Sequence, residues 1–373
     1  MGFWNNQLSG PTDPIADAAW EEPQPRKGFF TDTSICIGCK ACEVACKEWN
    51  AIPEDGLGLL GSSYDNTGSL GASTWRHVAF IEQTSERIET ARESGRRLVD
   101  LGMPAVRAGG AGAPSGLNGA RPGVDGDRTA DAAGARGAAG TADATGAAGP
   151  ARGATVDPTG DQAAAVAQAN TAAASGTIPD FRWLMASDVC KHCTHAACLD
   201  VCPTGALFRT EFGTVVVQDD VCNGCGYCVA ACPFGVIEKR QGESTVKNLG
   251  VAQKCTLCYD RLGAGQTPAC AQACPTTSIK FGDLDEMRAV AHERVETLHA
   301  NGFTEARLYG ADPNDGVGGT GSVFLLLDEP EVYGLPPDPR VTTADLPDMF
   351  RKAGVAGLAM LALAAASFLG RRR

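Results

Sequence analysis

The sequence predicts an α+β fold of two related halves, interrupted by a long low-complexity insertion and followed by one C-terminal apolar helix. Three observations predict it. Sixteen cysteines fall into four groups of four with none left over, an abrupt change in composition separates the first group from the rest, and residues 353–370 carry no charge.

The groups are Cys36, Cys39, Cys42, Cys46; Cys190, Cys193, Cys198, Cys202; Cys222, Cys225, Cys228, Cys232; and Cys255, Cys258, Cys270, Cys274. Four thiolates are what one [4Fe-4S] cubane requires, so the chain is provisioned for four clusters, an inventory suited to conducting electrons. The third group reads Cys-x2-Cys-x2-Cys-x3-Cys232-Pro233, the bacterial ferredoxin run, whose fourth cysteine ligates the neighbouring cluster. The second group, ending Cys202-Pro203, is the same run with two extra residues before its third cysteine. Cys202 is therefore expected at the cluster of Cys222, Cys225 and Cys228, and Cys232 at that of Cys190, Cys193 and Cys198. By the same logic the first and fourth groups pair, giving two ferredoxin-like dicluster halves. A proline after the crossing cysteine stops a helix there. Cys46 precedes Lys47 and is the one fourth cysteine without that stop.

Other readings of the cysteines fit less well. Sixteen cysteines in 373 residues is too sparse for a disulfide scaffold. Zinc is the stronger rival, because Cys255, Cys258, Cys270 and Cys274 could enclose one tetrahedral ion, but triplets at two-residue spacing suit a cubane better. His192 and His195 invite comparison with a Rieske centre. All four cysteines stand beside them, so these histidines are read as neighbours of the ligands or as surface groups. Lys40, Lys47, Lys191 and Lys254 flank ligands and are read as solvated surface charges.

Taken in order, residues 1–27 form an extended, Pro-rich acidic tail. Residues 28–85 supply the first part of the cluster core. Residues 86–177 are the insertion, read as disordered: from 104 to 176 the chain is mostly Ala, Gly, Asp, Thr, Arg and Pro, too little apolar surface to offset ordering entropy. Closure entropy grows only logarithmically with length, so the excursion is tolerable, and only 162–174 has helical character. Residues 178–284 carry the other three groups, with a strand at 214–217. Residues 285–348 are expected as a cap, with a helix at 285–300 whose Met287, Val290, Ala291, Val295 and Leu298 share a face, and a strand at 322–327. Because 43% hydrophobic residues includes much alanine, the apolar core is small and cluster binding must contribute to folding.

Residues 349–373 hold the apolar helix and a basic tail. Eighteen uncharged residues meet the lower limit for a membrane span, although ten are Ala or Gly. Arg371, Arg372 and Arg373 beyond the span outnumber Arg351 and Lys352 before it, favouring a cytoplasmic C-terminus and a core on the outer face of the cell membrane. The first twenty residues have no basic segment followed by an apolar one, so either export proceeds alongside a partner bearing a twin-arginine signal or the clusters face the cytoplasm. A formal charge of −12 excludes nucleic-acid binding and permits a protein partner with a basic face.

The words around the cysteines are specific. Cys36-Ile-Gly-Cys39-Lys-Ala-Cys42-Glu-Val-Ala-Cys46-Lys-Glu-Trp-Asn50, Lys191-His-Cys193-Thr-His-Ala-Ala-Cys198, Lys254-Cys-Thr-Leu-Cys258-Tyr-Asp-Arg261 and Tyr333-Gly-Leu-Pro336 together resemble the iron-sulfur beta subunit of membrane-bound formate dehydrogenases. That family lies within the four-cluster electron-transfer subunits of molybdopterin oxidoreductases. The likeness covers residues 28–85 and 178–370. It implies four [4Fe-4S] clusters forming a wire between a catalytic molybdenum or tungsten alpha subunit and a membrane cytochrome b gamma subunit. Carried over, the ligand sets are Cys36, Cys39, Cys42 with Cys274; Cys255, Cys258, Cys270 with Cys46; Cys190, Cys193, Cys198 with Cys232; and Cys222, Cys225, Cys228 with Cys202. No bond-making chemistry is implied for this chain, which also lacks a nucleotide-binding glycine loop. The insertion departs from the better-known members of the family.

Overall fold

The computed structural model describes residues 13–54, 67–100 and 181–370. Residues 1–12 of the expected tail, residues 101–177 of the insertion with the helical stretch at 162–174, and the final three arginines lie outside them.

Strand β1 (Lys27–Asp32) leads through a 3-10 turn into the first cysteine loop and helix α1 (Ala41–Trp49). A long ribbon follows, β2 (Arg76–Thr84) antiparallel to β3 (Phe181–Val189), with α2 (Ser85–Asp100) between them in sequence. Then come α3 (Ala197–Asp200), the hairpin β4 (Leu207–Arg209) and β5 (Val215–Val217), α4 (Tyr227–Ala231), and the hairpin β6 (Glu238–Lys239) and β7 (Ala252–Gln253). Helices α5 (Tyr259–Gly263) and α6 (Ala269–Gln272), strand β8 (Ile279–Asp283), α7 (Leu284–Ala300), β9 (Arg307–Tyr309), β10 (Ser322–Leu326) and α8 (Leu346–Gly370) complete the order.

The main sheet has the order β8-β1-β10-β9, with β1 parallel to β10 and antiparallel to β8. A parallel pair needs a crossover between its strands, and here that crossover contains every cysteine. Phe29, Phe30, Val323, Phe324, Leu325 and Leu326 are fully buried in this sheet, each contributing about 1.5–3 kcal/mol of apolar burial. Helix α7 lies on it: Leu284, Met287, Ala291, Val295 and Leu298 recur at helical spacing and are buried, with Val290 at the edge of the stripe.

Two expectations change. The insertion does not begin at residue 86, because Ser85–Asp100 is a helix that buries Ile88, Ala91 and Gly95 and packs against β2. Residues 285–348 are not merely a cap, since β9 and β10 are half of the main sheet. The strand near 214–217 and the helix at 285–300 form as read, the helix one residue earlier. At the C-terminus, residues 348–368 are long and apolar enough to cross a membrane, and none of that stretch is buried against the rest of the protein.

Candidate functional site

Each cysteine group uses the same backbone device. The residue two positions after the first cysteine is left-handed in all four groups: Gly38 (φ +66°), His192 (+43°), Gly224 (+71°) and Leu257 (+59°). Glycine takes this conformation freely, whereas His192 and Leu257 are strained in it. The turn aims an amide back at sulfur: Leu257 N–H donates to Cys255 Sγ at 3.3 Å, and the Gly38 amide bonds to Cys36. The third cysteines, Cys42, Cys198, Cys228 and Cys270, are each the second residue of a helix, α1, α3, α4 and α6. After Cys202 and Cys232 the proline ends the helix and the chain curls, so that amides of Thr204, Ala206 and Leu207 face one sulfur and those of Phe234, Gly235 and Val236 the other. Burial works against ionisation of Cys202, but these amides and the Thr204 hydroxyl carry its thiol below the ordinary range. Without a proline, α1 runs on past Cys46 to Trp49.

The sheet registers bring together cysteines from different groups. Thr31 pairs with Ile279, so Cys36 and Cys274 leave the same end of the β1/β8 pair. Leu207 pairs with Val217, so the hairpin β4/β5 returns Cys222 beside Cys202. Cys36, Cys39, Cys42 and Cys274 line one cavity. Cys190, Cys193, Cys198 and Cys232 line another. Cys46 meets the fourth group where α1 packs on α6: Asn50 Nδ2 reaches both Cys46 Sγ (3.8 Å) and Cys258 Sγ (3.9 Å). Burial, then the neighbouring Cys255, Cys270 and Cys258, push the Cys46 thiol well above its usual range. Cys228 is raised to about 11 by burial and by Cys222, Cys202 and Cys225.

Electrostatic influence also runs between quartets, in a series. Cys270 feels Cys42, Cys255 feels Cys190, and Cys198 feels Cys228. The quartets thus follow one another from that of Cys42, through those of Cys46 and Cys190, to that of Cys228. Cys39 is exposed at the first end, with exposed Ile37 and Val44, and Cys225 at the last, with exposed Tyr227 and Val221.

Two lysines correct the surface reading. Lys191 and Lys254 are fully buried. Lys191 Nζ bonds Asp188 and the Val189 carbonyl (2.9 Å) and sits 4.9 Å from the Phe324 ring; Lys254 Nζ donates to the carbonyls of Val215 and Cys255 (2.9 Å). His192 is buried beside the second cavity, its Nδ1 accepting the Val215 amide at 3.2 Å, and burial holds its pKa well below the usual value.

Sequence reading missed Arg76. It is 1% exposed, with its guanidinium 4.8 Å from the Phe29 ring and Nη1 3.0 Å from Ser187 Oγ, which in turn lies 3.3 Å from Cys42 Sγ. An arginine opening the apolar run Val78-Ala-Phe-Ile was the available signal.

The sulfur sets suit a group larger than one ion. All sixteen cysteines are free thiols. Among the described residues no three His, Cys, Asp or Glu side chains converge closely enough for a single metal ion, and eight of the thiols line two cavities. Cys274 stands with Cys36 and not with Cys255 and Cys258, so the fourth group does not close on itself as a zinc site would.

Residues 181–284 match the family model for a 4Fe-4S dicluster domain. The chain is similar to the formate dehydrogenase iron-sulfur subunit of Haemophilus influenzae, 31% identical over 83% of this chain and 68% of the relative. It is similar at 31% identity to the nitrate-inducible formate dehydrogenase iron-sulfur subunit of Escherichia coli, over 84% of this chain and 73% of the relative. A shorter likeness, 49% over 30% of this chain and 55% of the relative, is to the thiosulfate reductase electron transfer subunit PhsB of Salmonella typhi.

Proposed function

This chain belongs to the formate dehydrogenase iron-sulfur subunits, electron-transfer parts of that enzyme without catalytic chemistry of their own, and from that premise we propose what it holds and what it connects. Its cysteines hold four [4Fe-4S] clusters in two ferredoxin-like halves. Cys36, Cys39, Cys42 and Cys274 hold the first; Cys46, Cys255, Cys258 and Cys270 the second; Cys190, Cys193, Cys198 and Cys232 the third; Cys202, Cys222, Cys225 and Cys228 the fourth. The observation that carries this reading is the serial order of crossed quartets between two ends where a cysteine is exposed.

Bound cubanes supply reversible one-electron chemistry. The residues around them ionise, bury and orient the sulfurs. Amides from the left-handed turns and from the segments after Cys202 and Cys232 stabilise thiolate charge, Asn50 ties the two helices of the second site, and Lys191 and Lys254 place cations beside the inner two quartets. The exposed ends are docking points, one for a catalytic molybdopterin subunit carrying molybdenum or tungsten and the other for a membrane cytochrome b subunit. Helix α8, 25 residues or about 38 Å long, spans a hydrocarbon layer of about 30 Å and fastens the subunit there. The basic excess beyond the helix supports a core on the outer face.

The higher local identity to the thiosulfate reductase subunit favours a second reading in which another molybdopterin enzyme feeds the same wire. That likeness is confined to 30% of the chain, whereas the formate dehydrogenase relatives follow it over 83% and 84%. Anaerobic purification with the co-purifying subunits, followed by formate, tests the proposal. Formate should reduce the clusters, read by EPR, with four irons and four sulfides per cluster; thiosulfate-linked but not formate-linked turnover would favour the second reading.

A further inference from the structure

Arg76 is among the largest fully buried side chains of the described residues, and its guanidinium hydrogen-bonds Ser187 and no carboxylate among them. Nη1 has the Ser187 hydroxyl and, at 3.4 Å, the Ser187 carbonyl; Nε and Nη2 are buried with no hydrogen-bond partner. A buried guanidinium without a counter-charge is strongly unfavourable, so its surroundings must supply negative charge and acceptors. The strongest negative influences on it come from cysteine sulfur. Burial alone would make the arginine easier to deprotonate, yet Cys270, Cys42, Cys255 and Cys46 more than offset it and raise its pKa. Cys42 belongs to the first quartet and the other three to the second. Cys42 and Cys46 lie one turn apart on α1, both buried, and α1 packs against β2, which carries Arg76, and against α6, which carries Cys270. Arg76 therefore stands at the junction of two quartets, and its unpartnered donors fit a group rich in sulfur acceptors.

We propose that Arg76 is a positioning residue that raises the reduction potentials of the first two cluster sites together, one fixed cation serving both. The inference rests on the four cluster sites proposed above. A cubane held by four thiolates is anionic and gains one further negative charge on reduction, so a neighbouring cation stabilises the reduced form more. Ser187 extends the effect to one side: its Oγ accepts from Arg76 Nη1, leaving its own proton to donate to Cys42 Sγ. Lys191 and Lys254 stand by the inner quartets, but Lys191 is paired with the Asp188 carboxylate and the Val189 carbonyl, and Lys254 has the carbonyls of Val215 and Cys255.

The test is an EPR-monitored redox titration of the anaerobically purified complex carrying wild-type chain, Arg76→Gln or Arg76→Lys, with iron counted per chain. In Arg76→Gln, two of four midpoints should fall by at least a tenfold change in the reduction equilibrium, about 59 mV for one electron, while the other two stay in place. Arg76→Lys should keep the charge and move the same two midpoints less. The proposal is overturned if Arg76→Gln retains its iron with all midpoints unmoved, if all four move alike, or if both variants lose iron, which would make Arg76 a folding residue. A wild-type chain with fewer than four clusters would instead sink the functional reading on which the proposal stands.

Discussion

Cys228 faces a quartet completed from another cysteine group, and this makes its replacement informative. Cys228→Ser should remove or convert one cluster and leave its neighbour, bound through Cys190, Cys193, Cys198 and Cys232, largely intact. Iron analysis with EPR of the reduced protein would count against the ligand set if all four signals remained unchanged. Gly224 is constrained differently: at φ +71° it is left-handed, and a Cβ there would lie 2.6 Å from the Gly250 carbonyl oxygen. Gly224→Ala should cost about 1–3 kcal/mol and weaken the last cluster site, seen as a lower Tm and lower iron content. Lys254→Met should cost a similar ~1–3 kcal/mol, because the carbonyls of Val215 and Cys255 lose a buried donor. The meeting of Cys274 with the first group and of Cys232 with the second was legible from spacing, because the ligand geometry of a cubane constrains nearest neighbours in sequence. Burial of Lys191 and Lys254 was not, since a cation beside a thiolate reads the same in one dimension whether its stem points inward or outward; Arg76 adjoins no cysteine in sequence and meets Ser187 and Cys42 only through the fold.

Elements carry the next level of constraint. Helix α2 meets the segment before β9 so closely that a Cβ on Gly95 would sit 2.0 Å from the Thr304 carbonyl oxygen. Gly95→Ala, ordinarily favourable within a helix, should therefore lower thermal stability by displacing α2; an unchanged or raised Tm would show that α2 does not seat there. The apolar stripe of α7 and the β-branched run of β5 were readable because a single period dominates each. The β2/β3 ribbon was not read, since its strands lie on either side of the insertion and pair across nearly a hundred residues. The parallel β1/β10 pairing is equally silent in sequence, and it turns an expected cap into half of the main sheet.

At the scale of the whole molecule, the sheet joins the two ends of a cysteine-rich crossover while the four quartets occupy its interior. Taking out the clusters would leave sixteen thiols around cavities in a chain with a small apolar core, so removing iron should broaden or abolish cooperative thermal unfolding. Deleting α8 should free the subunit from the membrane fraction without lowering its iron content, because none of residues 348–368 packs on the core. The central claim is that fourth cysteines are exchanged between groups to make four sites in a row. Anomalous diffraction at the iron edge, on crystals of the anaerobically purified complex, measures it most directly. The account predicts four iron peaks, with Cys274, Cys46, Cys232 and Cys202 each at the site of a different group's triplet. Peaks enclosed by the cysteines of one group alone, or sites occupied by zinc, would contradict it.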